Sequence, residues 1–250
     1  MWLIFFNNGH RLYYREKGTG DLLLILPGNT ASSASHLDDL DFFSKHYHAV
    51  SLDFWGTGNS DRLKNWNQNW WMEAAKDTVS LIEHLNHSSA YLIGCSGGAA
   101  IGLLIAALYP DKVRSVIADS ELEQYHDELL KLCIEERNFK SKEQVKFWKQ
   151  AHGDDWVDVI REDNGLMMNL APNGHIFKNK YQDITCPVLF CGSLMEDQYV
   201  PYFSEIIIKM TKQIKKAELF LVHDGNHPLM WTCKNQFRRM ALSFLQNTNT

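Results

Sequence analysis

The amino-acid sequence predicts an α/β protein built on a mostly parallel sheet, and three observations lead to that fold class. Short apolar runs recur along the 250 residues. From residue 21 onward these runs are nearly continuous in hydrophobic residues, as strands covered on both faces must be. Segments with helical periodicity separate many of the runs. Because 250 residues with 45% hydrophobic content can bury one large core, we expect a single domain over residues 1–250.

The predicted elements follow one another in alternation. Six nearly continuous apolar runs predict buried strands at residues 21–26, 47–54, 90–94, 113–119, 186–192 and 217–222. Residues 2–6 and the alternating stretch 10–18 flank the turn sequence "NNG", which predicts an antiparallel hairpin at one end of the sheet. Helical periodicity predicts helices at residues 71–86, 97–109, 202–213 and 231–246.

One long stretch breaks the alternation. Residues 121–180 are charged, amphipathic and helical in period, and they contain no apolar run that would suit a strand. The simpler interpretation is a helical insertion that packs on the sheet. Because insertions at the carboxyl ends of parallel strands commonly shape access to a ligand, the stretch is also predicted to form a cap over a site.

Charge and cysteine content exclude several classes of function. The net charge is −5 and the Lys and Arg residues are scattered, so no nucleic-acid partner is expected. The five cysteines form no CxxC pair, so neither a disulfide framework nor a metal site is expected, and a reducing, cytoplasmic location fits best. The first apolar run is too short for a membrane span. We expect no cofactor and no membrane partner, and the oligomeric state stays open.

The stretch "AYLIGCSGGAAIG" carries the first chemical signal. Gly94, Ser96 and Gly98 match the G-x-S-x-G pattern, in which a sharp strand-to-helix turn exposes the serine as a nucleophile. Cys95 falls at the variable position, where a buried small apolar residue is the preferred interpretation. A dinucleotide-binding turn is the alternative for the whole segment, but the G-x-G-x-x-G spacing fails.

A serine nucleophile needs a base and an acid, in the chain order Ser, Asp or Glu, His. Asp197 and His227 lie in loops at the carboxyl ends of two later strands, so both face the edge of the sheet that carries Ser96. Asp197 is the predicted acid and His227 the predicted base. The open alternatives are a helix-capping role for Asp197 with the neighbouring acid in its place, and several rival groups: Glu196, Asp119, Glu121, His223 and His175.

An oxyanion needs two fixed N–H donors. The backbone N–H groups of Gly97, after the nucleophile, and Asn29, in "LPGNTASSAS", are the predicted pair. An ordinary strand-exit loop is the alternative for the second segment. Four residues could line an apolar substrate pocket, although core packing is equally consistent with them: Trp148, Trp156, Met230 and Trp231.

Five segments together carry a resemblance to a known family. The sequences "LPGNTASS", "LDFWGTGNSDR", "GCSGG", "GSLMEDQYVP" and "DGNHPLMW" resemble those of the α/β-hydrolase family, and the resemblance covers the chain except for the insertion. Within that family, "EAAKDTVSLIEHL", "DWVDVIRE" and "APNGHI" are similar to the biphenyl hydrolase-like, or valacyclovir hydrolase-type, serine hydrolases.

The resemblance implies an eight-stranded, mostly parallel sheet with helices on both faces and a short helical cap. It also implies a triad of Ser96, Asp197 and His227, with Asp53 and Gly56 in structural roles. The chain departs from the family at Gly97, where those relatives carry an aspartate that binds an α-ammonium group, so amino-acid esters are not implied. It departs also at Pro27, where many relatives carry histidine, and by two extra residues before Asp197.

These features predict a serine hydrolase that cleaves a small ester or related acyl compound through an acyl-enzyme intermediate. Three alternatives with the same triad stay open: a cofactor-free perhydrolase, a lyase and a carbon–carbon bond hydrolase. A protein that binds or senses a small ligand on a hydrolase fold is the alternative from another class.

Overall fold

A single eight-stranded sheet organises the chain in the computed structural model, which describes residues 2–123, 125–170, 176 and 180–248. The strand order is β1-β2-β4-β3-β5-β6-β7-β8, and all pairs from β4 to β8 in that order are parallel. The strands are β1 (Trp2–Asn7), β2 (His10–Lys17), β3 (Leu22–Leu26), β4 (His48–Asp53), β5 (Ala90–Cys95), β6 (Val113–Asp119), β7 (Val188–Ser193) and β8 (Ala217–Val222).

The first two strands are the antiparallel part of the sheet. Strand β1 pairs with β2 in a hairpin that turns at Asn8 and Gly9, both with positive φ, and β2 pairs antiparallel with β4. The predicted "NNG" hairpin is therefore confirmed, as is the mostly parallel character of the remaining strands.

Helices cover both faces of the sheet. Alternate residues of β3 belong to two separate core clusters: Leu22, Leu24 and Leu26 pack on one side, and Leu23 and Ile25 on the other. The helices of the described residues are α1 (Leu37–Phe43), α2 (Trp70–His84), α3 (Gly97–Leu108), α4 (Asp127–Phe139), α5 (Lys142–His152), α6 (Trp156–Leu170), α7 (Phe203–Gln213), α8 (Leu229–Thr232) and α9 (Lys234–Asn247). This double covering explains why the strands after residue 21 are continuously apolar.

The last predicted helix is divided in the structure. Residues 231–246 were expected to form one helix, but α8 ends at Thr232 and α9 begins at Lys234. Cys233 between them has φ −117° and ψ 45°, and its thiol contacts the carbonyl oxygen of Asp224 at 3.2 Å. This local contact turns the chain, and α9 then packs on the sheet through Phe237, Ala241, Phe244 and Leu245.

Helices α4, α5 and α6 form the inserted segment and contact the loops at one edge of the sheet. The Ser32 hydroxyl donates to the carbonyl oxygen of Ala151 at 2.9 Å, and the Gly58 N–H donates to Nδ1 of His152 at 3.0 Å. The Arg62 guanidinium holds Asp155 at 2.6 Å. The insertion thus lies against the loops that follow β3 and β4. None of the helices that the structure describes combines the length and apolar character needed to cross a bilayer.

Candidate active site

Ser96 sits on a sharp turn between β5 and α3. Its backbone has φ 51° and ψ −127°, an unusual conformation for a residue other than glycine and the one expected of a nucleophile elbow. The turn is tight because a Cβ on Gly94 would meet the backbone of Gly98, and a Cβ on Gly98 would meet the carbonyl oxygen of Leu26. Small residues at both positions let the strand and the helix approach closely enough to form the sharp turn at Ser96.

Cys95 is buried beside this turn. Its side chain belongs to the core cluster that also contains Leu23 and Ile25 of β3, and it is 1% exposed. Burial, reinforced by the nearby Asp119 carboxyl, raises the pKa of the Cys95 thiol well above its ordinary range. The thiol therefore stays neutral, as expected for a small core residue rather than a nucleophile.

His227 contacts Glu196 and not the predicted partner Asp197. The ring Nδ1–H donates to Glu196 Oε2 at 3.1 Å, and the Glu196 carboxylate is almost completely buried. Its other oxygen, Oε1, accepts the N–H of Ser193 at 3.1 Å. These bonds fix the carboxylate and leave Nε2 of His227 as the ring atom available to another group.

Asp197 instead binds the start of α7. Its carboxylate accepts the Ser204 N–H at 3.1 Å and the Ser204 hydroxyl at 2.7 Å. The short 3₁₀ turn Leu194–Gln198 explains why Glu196, and not Asp197, contacts His227. Ser193 and Glu196 form a capping box that turns Glu196 inward, so that Asp197 points toward α7. The structure therefore corrects the prediction that Asp197 orients His227, and the helix-capping alternative describes Asp197.

The other rival groups are placed differently. The Glu121 carboxylate is buried against the hydroxyl of Tyr125, at 3.2 Å, and burial raises its pKa well above the ordinary range. His223 is 82% exposed and pairs with Asp224. His175 lies outside the described residues.

Asp119 connects the two sides of the site. Its carbonyl oxygen accepts the Ser96 N–H at 2.8 Å, and its carboxyl group accepts the N–H groups of Leu229 at 3.2 Å and Met230 at 2.7 Å. Strand β6 thus holds the serine turn and the segment after His227 at one sheet edge. Within the described residues no hydrogen bond joins Ser96 Oγ to His227; such bonds often form only with substrate present.

The surroundings of His227 affect its protonation. Desolvation by the surrounding protein lowers the pKa of the ring, but the hydrogen bond and charge of Glu196 outweigh it, with smaller contributions from Asp119 and Glu136. The net result is a pKa of His227 above its ordinary value. The side chain is nevertheless 48% exposed, so a ligand can reach it.

The two predicted oxyanion donors lie next to each other. Gly97 begins α3, and the side-chain oxygen of Asn29 occupies the space that a Cβ on Gly97 would need. Among the described residues, neither the Gly97 N–H nor the Asn29 N–H donates a hydrogen bond. Two unengaged N–H groups beside a nucleophile are what an oxyanion requires.

The inserted helices contribute three residues that sequence reasoning missed. Asn29 Nδ2 donates to Asp163 of α6 at 2.9 Å, and the same carboxylate accepts Arg137 of α4 at 2.7 Å. Arg137 also donates to the Asn164 side chain at 2.8 Å. Asp163 is 2% exposed, and the Arg137 guanidinium is the cation that it contacts. No sequence pattern distinguishes these polar residues from the many others on amphipathic helices.

The predicted pocket residues fall into three places. Trp148 and Trp156 stack on each other with ring centroids 5.4 Å apart, inside a cluster of the inserted helices, so the core alternative describes them. Met230 is fully buried in the core. Trp231 lines a cavity of about 390 Å³ together with Phe147, but none of the side chains predicted to be catalytic is among its lining residues. The structure therefore corrects the pocket assignment of the first three residues.

Within the described parts of the chain, no group of three or more His, Cys, Asp or Glu side chains is arranged to hold a metal ion. The arrangement of serine, imidazole, carboxylate and free N–H groups is instead suited to nucleophilic attack on an acyl carbon.

Comparison with known proteins gives relatives along nearly the full chain. A profile of the α/β hydrolase fold matches residues 21–132. The serine hydrolase BPHL of Homo sapiens is 28% identical over 96% of this chain and 84% of its own length. The (E)-2-((N-methylformamido)methylene)succinate hydrolase of Acinetobacter baylyi is 22% identical, over 97% of each chain. A thermophilic esterase from Thermogutta terrifontis superimposes with a TM-score of 0.79, at 14% identity and full coverage of both chains.

Proposed function

We propose that the chain, which has the α/β-hydrolase fold and is a hydrolase, is a serine hydrolase that cleaves a small ester or related acyl compound. The observation that carries the proposal is the contact of His227 with the buried Glu196 carboxylate, on the sheet edge that carries the strained Ser96. A base held by a buried acid, on the same sheet edge as a serine in a nucleophile elbow, is the arrangement that activates a hydroxyl.

In the first half-reaction, Nε2 of His227 removes the proton from Ser96 Oγ as the oxygen attacks the acyl carbon. Glu196 stabilises the imidazolium through Nδ1–H and keeps the ring in the tautomer that leaves Nε2 unprotonated. The N–H groups of Gly97 and Asn29 bind the oxyanion. The imidazolium then gives its proton to the leaving alkoxide, which departs as the alcohol.

In the second half-reaction, water takes the place of the serine. His227 removes one proton from water, the hydroxide attacks the ester carbon of the acyl-enzyme, and Ser96 leaves with the proton from the imidazolium. The products are a carboxylic acid and the regenerated serine. No cofactor enters either half, because each proton taken by His227 is returned.

Two features support a small acyl substrate. Helices α4 and α6 contact the loop beside Ser96, since Asp163 of α6 binds both Asn29 and Arg137 of α4, and we expect them to limit the space above the nucleophile. The relatives include a serine hydrolase and a hydrolase of a formamido-substituted succinate. The test series therefore contains short esters and one formanilide.

The experiment is burst and steady-state hydrolysis of p-nitrophenyl esters with two to eight acyl carbons, and of the anilide. Wild type is compared with Ser96→Ala and with the matched control Cys95→Ala, which changes the adjacent side chain. We expect turnover in wild type and Cys95→Ala and its loss in Ser96→Ala, with a fluorophosphonate adduct on Ser96 by mass spectrometry. No turnover in the wild type, with ligands still raising its Tm, would contradict the proposal and indicate a binding protein.

A further inference from the structure

A second buried carboxyl group lies behind the pair of His227 and Glu196, and the proposed mechanism does not use it. Asp119, the last residue of β6, is 0% exposed, and Glu196 is 2% exposed. The two groups face each other across the side chain of Ser120, which is also buried. Two carboxylates confined in one buried site repel each other, so the number of protons that they hold decides their combined charge.

The Ser120 hydroxyl contacts both groups. Its Oγ lies 3.0 Å from Asp119 Oδ1 and 2.8 Å from Glu196 Oε1. A hydroxyl carries one proton and can donate to only one of these oxygens at a time. If both carboxyl groups were ionised, one of the two short oxygen–oxygen contacts would contain no proton and would be repulsive. One additional proton, on Asp119 Oδ1, supplies the missing donor.

The other groups around Asp119 cannot supply that proton. The N–H groups of Leu229 and Met230 already donate to its two oxygens. The thiols on the neighbouring strands, Cys95 and Cys191, keep their protons, because burial raises their pKa values and Asp119 adds to the effect by its charge and, for Cys191, by a hydrogen bond. The cation that can form nearby is the ring of His227, which faces Glu196.

The pKa of Asp119 agrees with an additional proton on its carboxyl group. Burial raises the pKa of its carboxyl group, the Met230 N–H lowers it and the charge of Glu196 raises it, giving a value of about 7. Among charged groups farther from Asp119, Glu136 of α4 raises the pKa of His227. Glu121, two residues along the chain, binds Tyr125 instead.

We propose that Asp119 and Glu196 share one proton through Ser120. Asp119 Oδ1–H donates to Ser120 Oγ, and the Ser120 O–H donates to Glu196 Oε1, so that Glu196 carries the negative charge that faces His227. The arrangement rests on the proposed triad, in which Glu196 is the acid. Asp119 and Ser120 are positioning residues, because they act on His227 through Glu196 and through the backbone at Leu229 and Met230.

The shared proton controls the charge beside the base. While Asp119 is protonated, His227 faces one negative charge. When the pair loses that proton as the pH rises, a second negative charge forms and favours the imidazolium, which cannot act as a base. The titrations of the pair and of His227 are therefore coupled, and a neutral group at position 119 lowers the pH at which His227 becomes active.

The kinetic test is the pH dependence of kcat/KM for a reactive ester in wild type, Asp119→Asn and Ser120→Ala. The matched control is Glu121→Gln, which converts the other buried carboxyl group, two residues beyond the end of β6, into an amide. We expect the midpoint of the acidic limb to fall by on the order of one pH unit in Asp119→Asn, to change in Ser120→Ala, and to stay in place in Glu121→Gln. An unchanged midpoint in Asp119→Asn with a lower kcat would overturn the proposal and leave Asp119 as a structural clamp.

A second measurement requires no turnover, and its main readout comes from the wild-type protein. In wild-type protein labelled with ¹³C at aspartate carboxyl carbons, the Asp119 resonance should report a protonated acid at pH 6 and titrate near pH 7. The same titration in Ser96→Ala is expected to match wild type. An Asp119 resonance that is already ionised at pH 5 would overturn the shared proton. Turnover that survives in Ser96→Ala would instead refute the proposed function while leaving this titration interpretable.

Discussion

The side-chain oxygen of Asn29 fills the space that a Cβ atom on Gly97 would need. On the other side of that position, the edge of the Trp71 ring would lie 3.0 Å from the same Cβ. Asn29 cannot easily move, because its amide group is held by Asp163 at 2.9 Å. The residue after the nucleophile is therefore required to be glycine as long as Asn29 is present.

Gly97→Ala is expected to destabilise the fold by about 1–3 kcal/mol, the usual cost of overpacking, and to lower kcat/KM by displacing the Asn29 loop. Adding Asn29→Ala removes the clashing oxygen but keeps the backbone N–H, so the double variant should recover part of both losses. The control is Gly102→Ala in the same helix, where an added Cβ meets only ordinary contacts from 3.5 Å. Denaturant unfolding and ester kinetics are measured for wild type, both single variants and the double variant. If the losses of the two single variants simply added in the double variant, the clash would be contradicted.

Glu196 and Asp197 form a matched pair for testing the acid. Glu196→Gln removes the charge that supports the imidazolium and should lower kcat by about 10³- to 10⁴-fold. Asp197→Asn weakens the cap of α7 and should cost about 1 kcal/mol of stability while leaving kcat/KM close to wild type. Kinetics and urea unfolding of both variants decide the assignment. The reverse pattern, with activity lost in Asp197→Asn, would restore the original prediction.

More of the fold than of the candidate site could be predicted from the sequence. Continuous apolar runs locate the parallel strands, and the glycine spacing around Ser96 locates the elbow, because both reflect local steric demands. The choice between Glu196 and Asp197 depends on which way a short 3₁₀ turn faces. One signal was available: Ser193 and Glu196 have the S-x-x-E spacing of a capping box, which ties the glutamate back to the strand end.

The cap was the least predictable part. Aromatic residues on amphipathic helices suit either a pocket or a core, and only the packing shows that Trp148 and Trp156 stack together. The partnership of Asp163 with Asn29 joins residues 134 positions apart. A contact at that separation leaves no periodic trace in one sequence, so sequence reasoning could not find it.

The charge of Glu136 provides a test of the pH dependence. The base works when His227 is unprotonated, and its pKa is raised, so the acidic limb of kcat/KM should have its midpoint above the ordinary histidine value of about 6.5. Glu136→Gln removes one charge that favours the imidazolium and should move the midpoint down by a few tenths of a pH unit, less at high salt. Glu135→Gln, on the adjacent exposed residue, is the control. Equal shifts in both variants would show a general charge effect instead.

His152 predicts a loss of stability in acid. Burial lowers the pKa of its ring to about 4, against the weaker opposing hydrogen bond to the Thr30 carbonyl oxygen. Because the folded pKa lies below the unfolded value, the contribution of the neutral ring is complete above about pH 6.5 and is lost as the pH falls to about 4. The loss is on the order of 3 kcal/mol.

His152→Asn can still accept the Gly58 N–H but does not titrate in this range. We expect it to be less stable than wild type at pH 7. Because it does not titrate, its urea midpoint should fall less than that of wild type between pH 6.5 and 4. A wild-type midpoint that is flat over that range would contradict the assignment. Since His152 joins α5 to the Thr30 and Gly58 loops, loss of activity is expected to accompany unfolding of the cap at low pH.

The buried pair of Arg137 and Asp163 fixes the cap to the oxyanion turn, and its removal should separate stability from activity. Arg137→Met leaves the Asp163 carboxylate buried with Asn29 and without a charged partner, which should cost about 3–5 kcal/mol.

The double variant Arg137→Met/Asp163→Leu replaces the pair by apolar side chains and should recover most of that stability. Its kcat/KM should nevertheless stay low, because Asn29 has lost the acceptor that orients it beside Gly97. The control is Arg161→Met, which breaks the exposed pair with Asp158 and should leave the stability close to that of wild type. If Arg137→Met were no more harmful than Arg161→Met, the cap would be held by other contacts. If the double variant regained full activity, Asn29 would need no partner from the cap to serve as an oxyanion donor.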